Sequence, residues 1–235
     1  MNPSEEYVFP KRGFKSKNRS LLAAMTNKQS HEDGTLSDEE ITWLTRRAKD
    51  GFGIVTTAAS HISELGKGWI GEMGVWSDDH LEGLTKLASS LKQHGSLNLV
   101  QIFHGGMKAP FKINNVIPVC PSKMMDEATG KLLARDLKTD EIYQLIEDFS
   151  DAAKRCEDAG FDGIEVHGAH SYLISQFLGL KTNRRTDEFG GSIENRFRFL
   201  REIILSIRKK TSDDFLVAVR ISPKISTIGI TIEDS

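Results

Sequence analysis

Short apolar runs, each followed by a long amphipathic stretch, recur along this chain, and that alternation limits the possible folds more than any other feature. Five runs stand out, at residues 19–25, 53–59, 97–103, 161–167 and 215–222. They are short and rich in aliphatic residues, which reads as strands. Helical patterns lie between them. Ser37-Asp38-Glu39-Glu40 has the form of a capping box ahead of Ile41, Leu44 and Ala48, and Gly51 is a natural stop. Ser77-Asp78-Asp79 opens a second helix that carries Leu81, Leu84, Leu87, Ala88 and Leu91 as far as Gly95. Thr139-Asp140-Glu141 opens a third, with Ile142, Leu145, Ile146, Phe149, Ala152, Ala153, Cys156 and Ala159 on one face before Gly160. Ser192 caps a fourth through Phe197, Leu200, Ile203, Ile204 and Ile207. Residues 104–137 show no clear period, as a long functional loop would. Strands this apolar must be covered on both faces, so the sheet is parallel. Two architectures remain, a TIM (β/α)8 barrel and a doubly wound open sheet. No G-x-G-x-x-G follows the first run, which weakens the dinucleotide-binding form of the second.

Composition narrows the class of partner. The chain has 235 residues, 38% of them hydrophobic and 27% charged, with a formal net charge of -2. That is enough to bury a core in one domain spanning residues 1–235, and it excludes disordered and collagen-like chains. Without a basic block, nucleic acid is not expected as a partner. No apolar stretch approaches the ~18 residues of a membrane span, and no secretory signal opens the chain. Its two cysteines, Cys120 and Cys156, suggest neither a disulfide framework nor a zinc site, and no metal is expected. A cytoplasmic protein is the expectation.

Polar side chains gather where the strands end: Thr26, Gln101, His104, His167, His170 and Arg220. In a barrel, active sites form at that end. Side chains alternate along a strand, so Ile164 and Val166 face the helices while Glu165 and His167 face the axis. By the same rule Arg220 points inward, and a Glu165–Arg220 ion pair, purely structural or part of a site, follows. His167-Gly168-Ala169-His170 places two imidazoles three residues apart; they could hold one carbonyl oxygen or anion, or one could be a core histidine. Tyr172 is a possible proton donor. Gln101 could grip the edge of a heteroaromatic ring. Lys108 reads as a solvated charge, and both cysteines as small apolar residues.

Two stretches carry a resemblance. Phe161-Asp162-Gly163-Ile164-Glu165-Val166-His167-Gly168-Ala169-His170-Ser171-Tyr172-Leu173, followed by Asn183-Arg184-Arg185-Thr186-Asp187-Glu188-Phe189-Gly190-Gly191-Ser192-Ile193-Glu194-Asn195-Arg196, resembles the Old Yellow Enzyme family of FMN-dependent NAD(P)H oxidoreductases. Weaker agreement follows in order at residues 22–26, 74–78, 100–106 and 219–222. The resemblance implies an FMN-binding (β/α)8 barrel that takes a hydride from NAD(P)H and delivers it to the C=C bond of an enone. It implies that Ala24, Met25 and Thr26 lie along the flavin, with Ala59 beside the ring. It places Gln101 and Arg220 on the pyrimidine edge, His167 and His170 on the substrate carbonyl, and Tyr172 as general acid. Family members commonly self-associate, so a homo-oligomer is possible. Ala24 stands where the family commonly has proline, and Met107 where it has arginine or tryptophan. Only about five of the barrel's eight strands fit before Ser235, so a barrel incomplete at its C-terminal end is expected. From that shortfall a second reading follows: a non-catalytic remnant that holds no FMN and at most associates with another chain.

Overall fold

A computed structural model describes residues 2–10, 13–223 and 228–235. The chain opens with a small antiparallel hairpin, β1 (Tyr7–Val8) and β2 (Lys15–Ser16). The repeating part then runs β3 (Leu21–Leu22), α1 (Asp38–Lys49), β4 (Ile54–His61), α2 (Leu81–Lys92) and β5 (Leu97–Phe103). An excursion follows, with α3 (Phe111–Asn114), β6 (Val119–Cys120), β7 (Met124–Met125) and β8 (Leu132–Asp136). The repeat resumes with α4 (Thr139–Asp158), β9 (Gly163–Gly168), α5 (Leu173–Leu178), α6 (Ile193–Lys210) and β10 (Leu216–Ile221).

The strands β3, β4, β5, β9 and β10 form one sheet in chain order, and every pairing is parallel. Each new strand is laid beside the last, always on the same side. A doubly wound sheet reverses direction at a switch point; this sheet does not, so the winding is that of a barrel. The helix-facing side carries the core. Val55, Val100, Ile102, Ile164 and Val166 are all fully buried against Leu44, Leu84, Leu87, Phe149 and Ile203 from the helices. The hairpin closes the opposite end, where Lys17 Nζ donates to the Ala48 and His94 carbonyls at 3.0 and 2.8 Å.

Several local expectations need correction. Residues 104–137 are not structureless: β6, β7 and β8 make a three-stranded sheet of their own, with pairings too short to show in sequence periodicity. The expected strand at residues 19–25 shrinks to Leu21–Leu22. Its pairing with β4 ends at Leu22 opposite Val55, just before β4 slips register between Thr56 and Ala59. β4 itself runs two residues further than expected, to His61. The capping box at α1 is only half made: Ser37 Oγ accepts the Glu40 N–H at 3.1 Å, but the Glu40 carboxylate turns away to Asn27 and Ser30. The N-cap of α4 is Lys138, whose N–H donates to Glu141 Oε2 at 2.8 Å. Among the described residues no helix is long and apolar enough to cross a membrane.

Candidate active site

Register turns the strand ends into two tiers. Ala59 pairs with Gln101, Gln101 with Glu165 and Glu165 with Ala218, so these four residues form a row across the sheet. Two residues on, His61 pairs with Phe103 and His167 with Arg220. Because the pleat repeats every two residues, both tiers face the same side, away from the helices. The lower tier is tied together: Gln101 Nε2 donates to Glu165 Oε1, and Arg220 Nη1 lies 3.9 Å from the same oxygen. At that distance the ion pair is loose, and Arg220 keeps a third of its side chain exposed.

The upper tier carries the rings. His167 is 3% exposed, and its Nδ1 is buried with no hydrogen-bond partner. Its ring lies 5.0 Å from that of His170 and 5.3 Å from that of Tyr172. Burial, helped by the charges of His170 and Arg220, pushes His167 down to about 3. Burial, Arg220 and Lys108 also lower His170, against the pull of Glu165. Both imidazoles are therefore neutral at neutral pH, each offering one N–H and one lone pair. Burial and the charge of Glu72 raise Tyr172, so its phenol keeps its proton.

The turn that delivers these groups is built at a cost. The chain does not pass straight into a helix after β9. His170 and Ser171 both take left-handed conformations, with φ of 56° and 63°, before α5 begins at Leu173. Each such non-glycine residue costs about 1–3 kcal/mol, and neighbouring bonds must hold it. Gln176, fully buried on α5, supplies them. Its Nε2 donates to the Ser171 carbonyl at 2.7 Å, and its Oε1 accepts the Met107 N–H at 3.1 Å. Lys108, expected to be a solvated charge, donates to the His170 carbonyl at 2.8 Å and sits 5.3 Å above the Tyr172 ring. Gly106 is required here: φ is +59°, and a Cβ would run into the side-chain amide of Gln176.

The other expected residues fall nearby with different exposure. Ala59 is buried on β4. Ala24 is half-buried, while Met25, at 49% exposed, and Thr26 lie open on the extended segment after β3. His104 is not part of the cluster. It is buried behind the turn, pushed down to about 4, and its Nδ1 accepts the Gly106 N–H at 3.0 Å. Cys120 and Cys156 are free and buried, with thiols pushed up to about 12. Among the described residues no group of His, Cys, Asp and Glu could hold a metal ion. Sequence reasoning missed His61, Phe103, Gln176 and Lys108. For His61 the signal was present, since it continues the Ala59 face by one pleat, but the strand was expected to stop at Ala59.

Comparison with known proteins gives the family and the fold. The profile of the NADH:flavin oxidoreductase / NADH oxidase family matches residues 13–232. The chain is 38% identical to the probable NADH-dependent flavin oxidoreductase YqiG of Bacillus subtilis, over 100% of this chain and 65% of that protein. It is 37% identical to an NADPH dehydrogenase of Clostridium acetobutylicum, over 88% of this chain and 60% of that protein. The chain thus spans less than two thirds of the length of these relatives. Among solved structures, the old yellow enzyme homologue from Zymomonas mobilis superposes with a TM-score of 0.85 at 29% identity, covering 100% of this chain and 67% of that one. Morphinone reductase in complex with tetrahydroNAD gives 0.86 at 28% identity, covering 98% and 67%. These neighbours identify the five-stranded sheet as part of an Old Yellow Enzyme-type TIM barrel, and with the profile match over nearly the whole chain they show that it belongs to the NADH:flavin oxidoreductase / NADH oxidase family.

Proposed function

We propose that this chain carries the reaction site of an FMN-dependent NAD(P)H oxidoreductase whose acceptors are α,β-unsaturated carbonyl compounds. One observation chiefly supports this reading. A buried, neutral His167 keeps Nδ1 unpartnered on the same face as Gln101 and Arg220, with His170 and Tyr172 beside it. A buried polar atom without a partner costs about 1–3 kcal/mol, and a ligand removes that cost.

An isoalloxazine needs an apolar strip for its face and polar groups for its edge. The open segment Ala24, Met25 and Thr26 offers the strip, and Gln101 and Arg220 offer the edge, so the residues fit the group. FMN, when bound, supplies the hydride chemistry with NAD(P)H. Gln101 and Arg220 would hold its pyrimidine edge, Thr26 would bond its ring carbonyl, and Ala59 would pack near the ring. His167 and His170 bind the acceptor's carbonyl oxygen through their N–H groups, where negative charge develops as the C=C bond is reduced. Losing one donor of this kind costs about 3–4 kcal/mol of barrier. Tyr172 keeps its phenol proton at neutral pH and gives it to the substrate carbon.

The test is direct. Titrating the purified chain with FMN is expected to quench flavin fluorescence and give a yellow protein. Under anaerobic conditions NADH or NADPH then bleaches it, and an enone restores the colour. A chain that stays colourless at saturating FMN sinks the reading. It would leave the alternative, a chain without flavin that associates with another polypeptide. That alternative has one observation in its favour: Val219 and Ile221 on the outer side of β10 are 40% and 43% exposed, where Ile164 and Val166 on β9 are fully buried.

A further inference from the structure

The open strip Ala24, Met25 and Thr26 is held from its two ends only. At the near end Leu22 pairs with Val55, and the pairing of β3 stops there. Among the described residues no backbone group of Ala24, Met25 or Thr26 makes a hydrogen bond. An extended segment of this kind has little of its own to define its shape, so its conformation depends on how the far end is fixed.

Glu40 fixes it. Asn27, the residue after Thr26, donates from Nδ2 to Glu40 Oε1 at 2.9 Å, and Ser30 Oγ donates to Glu40 Oε2. Between these two anchors the chain turns sharply: Asn27 Oδ1 accepts the Gln29 N–H at 3.3 Å, and Lys28 is left-handed with φ of 56°. The loop after β4 closes the other side. Its Gly71 carbonyl accepts the Ser30 N–H at 3.2 Å, and a Cβ on Gly71 would meet the Lys28 carbonyl at 2.6 Å. Glu40 itself is fully buried. Standing three residues after the N-cap of α1, it could have bonded back to the Ser37 N–H. Both its oxygens go to residues 27–30 instead, and both take uncharged donors. The helix start is served separately, by Ser37 Oγ accepting the Glu40 N–H. A buried carboxyl is costly unless its hydrogen bonds are made, so the bonds that hold the loop are also the ones that make Glu40 tolerable in the core.

We propose that Glu40 is a positioning residue for the flavin: reaching out of α1, it clamps Asn27 and Ser30 and thereby keeps Ala24–Thr26 in the shape that receives the isoalloxazine. The flavin half of this inference rests on the strip taking FMN; the clamp does not. Three variants separate a clamp from a plain contribution to stability. Glu40→Ala breaks both bonds. Glu40→Gln keeps both, since its carbonyl accepts from Asn27 and its amide donates to the Ser30 hydroxyl. Ser37→Ala removes the cap of α1 and lowers stability, but leaves the clamp alone.

Hydrogen exchange of the flavin-free chain is read first. The Ser30 amide is expected to exchange at least about tenfold faster in Glu40→Ala than in Ser37→Ala or Glu40→Gln. Equal rates overturn the clamp. FMN is then titrated by fluorescence quenching, with affinity expressed per folded molecule. If the released strip holds the receiving shape about a tenth of the time, Kd rises about tenfold in Glu40→Ala, while Glu40→Gln and Ser37→Ala stay close to wild type. An unmoved Kd in Glu40→Ala, or an equal rise in Ser37→Ala, overturns the positioning role. Asn27→Ala breaks the link from the loop side, and it gives the same two readouts if Glu40→Ala does not fold. A wild-type chain that binds no FMN defeats the flavin reading itself, and the exchange of Ser30 still decides the clamp.

Discussion

The two stretches that carry the family resemblance handle their polar atoms in opposite ways. In residues 183–196 almost every polar side chain is consumed internally. Asn183 Nδ2 donates to the Phe177 and Phe189 carbonyls, both at 2.7 Å. Arg185 forks onto Asp187 and reaches the Pro121 carbonyl at 3.0 Å, and the buried Arg196 binds the Leu178 carbonyl. In residues 161–173 the reverse holds. His167 Nδ1 is orphaned, His170 is exposed, and His170 and Ser171 sit in strained backbone. Similarity of sequence weighs both stretches alike. Hydrogen-bond accounting separates a brace from a site.

The largest effect expected to test this contrast comes from His167→Ala combined with His170→Ala. At about 3–4 kcal/mol of barrier per donor, enone turnover should vanish. Binding of phenol-like ligands should go with it, while FMN binding survives. Thermal stability should change by no more than about 1 kcal/mol, because no protein hydrogen bond to His167 Nδ1 is lost. Large destabilisation would place these histidines in the brace. Asn183→Ala is the mirror experiment. It strands two carbonyls that Asn183 now satisfies, at about 1–3 kcal/mol each, and denaturant unfolding should report the sum. Ligand affinity per folded molecule should hold.

Gln176 stands between the two classes. It lies on α5, ahead of the brace, yet its bonds run to Ser171 and Met107 at the site. Gln176→Leu is expected to cost about 1–3 kcal/mol of stability and, unlike Asn183→Ala, to weaken phenol binding, because its amide ties the Ser171 carbonyl to the Met107 N–H of the β5 loop. If stability falls and binding does not, Gln176 belongs with the brace.

How much of this was legible beforehand follows from what each feature depends on. Strand alternation depends only on neighbours in sequence, so Glu165, His167 and Arg220 were read inward and the register places them there. Strand length depends on the partner strand. That is why the local pattern overstates β3, understates β4 and leaves His61 off the inner face. Lys108 and Gln176 act on residues 62 and 69 positions away, and nothing local marks a lysine that bends back onto a carbonyl or a glutamine that crosses between loops. The same limit applies to Glu40. Its spacing from Ser37 matches a capping box, but tertiary packing offered the carboxylate Asn27 and Ser30 instead.

The smallest expected effect is also the most selective, because site and brace lose stability in different pH windows. His167 has a folded value of about 3, below the 6.5 of the unfolded chain. Between those values the unfolded state binds the extra proton, so stability is full above about 6.5 and falls as the pH drops toward 3. Near its steepest the slope is about 1.4 kcal/mol per pH unit. Asp187 is held below its ordinary 3.8, first by hydrogen bonds from Arg185 and then by the Phe189 N–H, against the cost of burial. Its contribution is therefore intact above 3.8 and is lost only as the pH falls further. Denaturant melts of wild type, His167→Asn and Asp187→Asn from pH 7 to pH 3 should separate the two. His167→Asn should make the limb between pH 6.5 and 4 shallower by up to about 1.4 kcal/mol per pH unit, the other buried histidines such as His104 and His61 keeping the rest of its slope, whereas Asp187→Asn should lower stability by an equal amount from pH 7 to pH 4 and converge with wild type only below it. Parallel curves for wild type and His167→Asn across pH 6.5 to 4 would mean that His167 is not held neutral in the fold, and the difference between the two stretches would shrink to one of exposure alone.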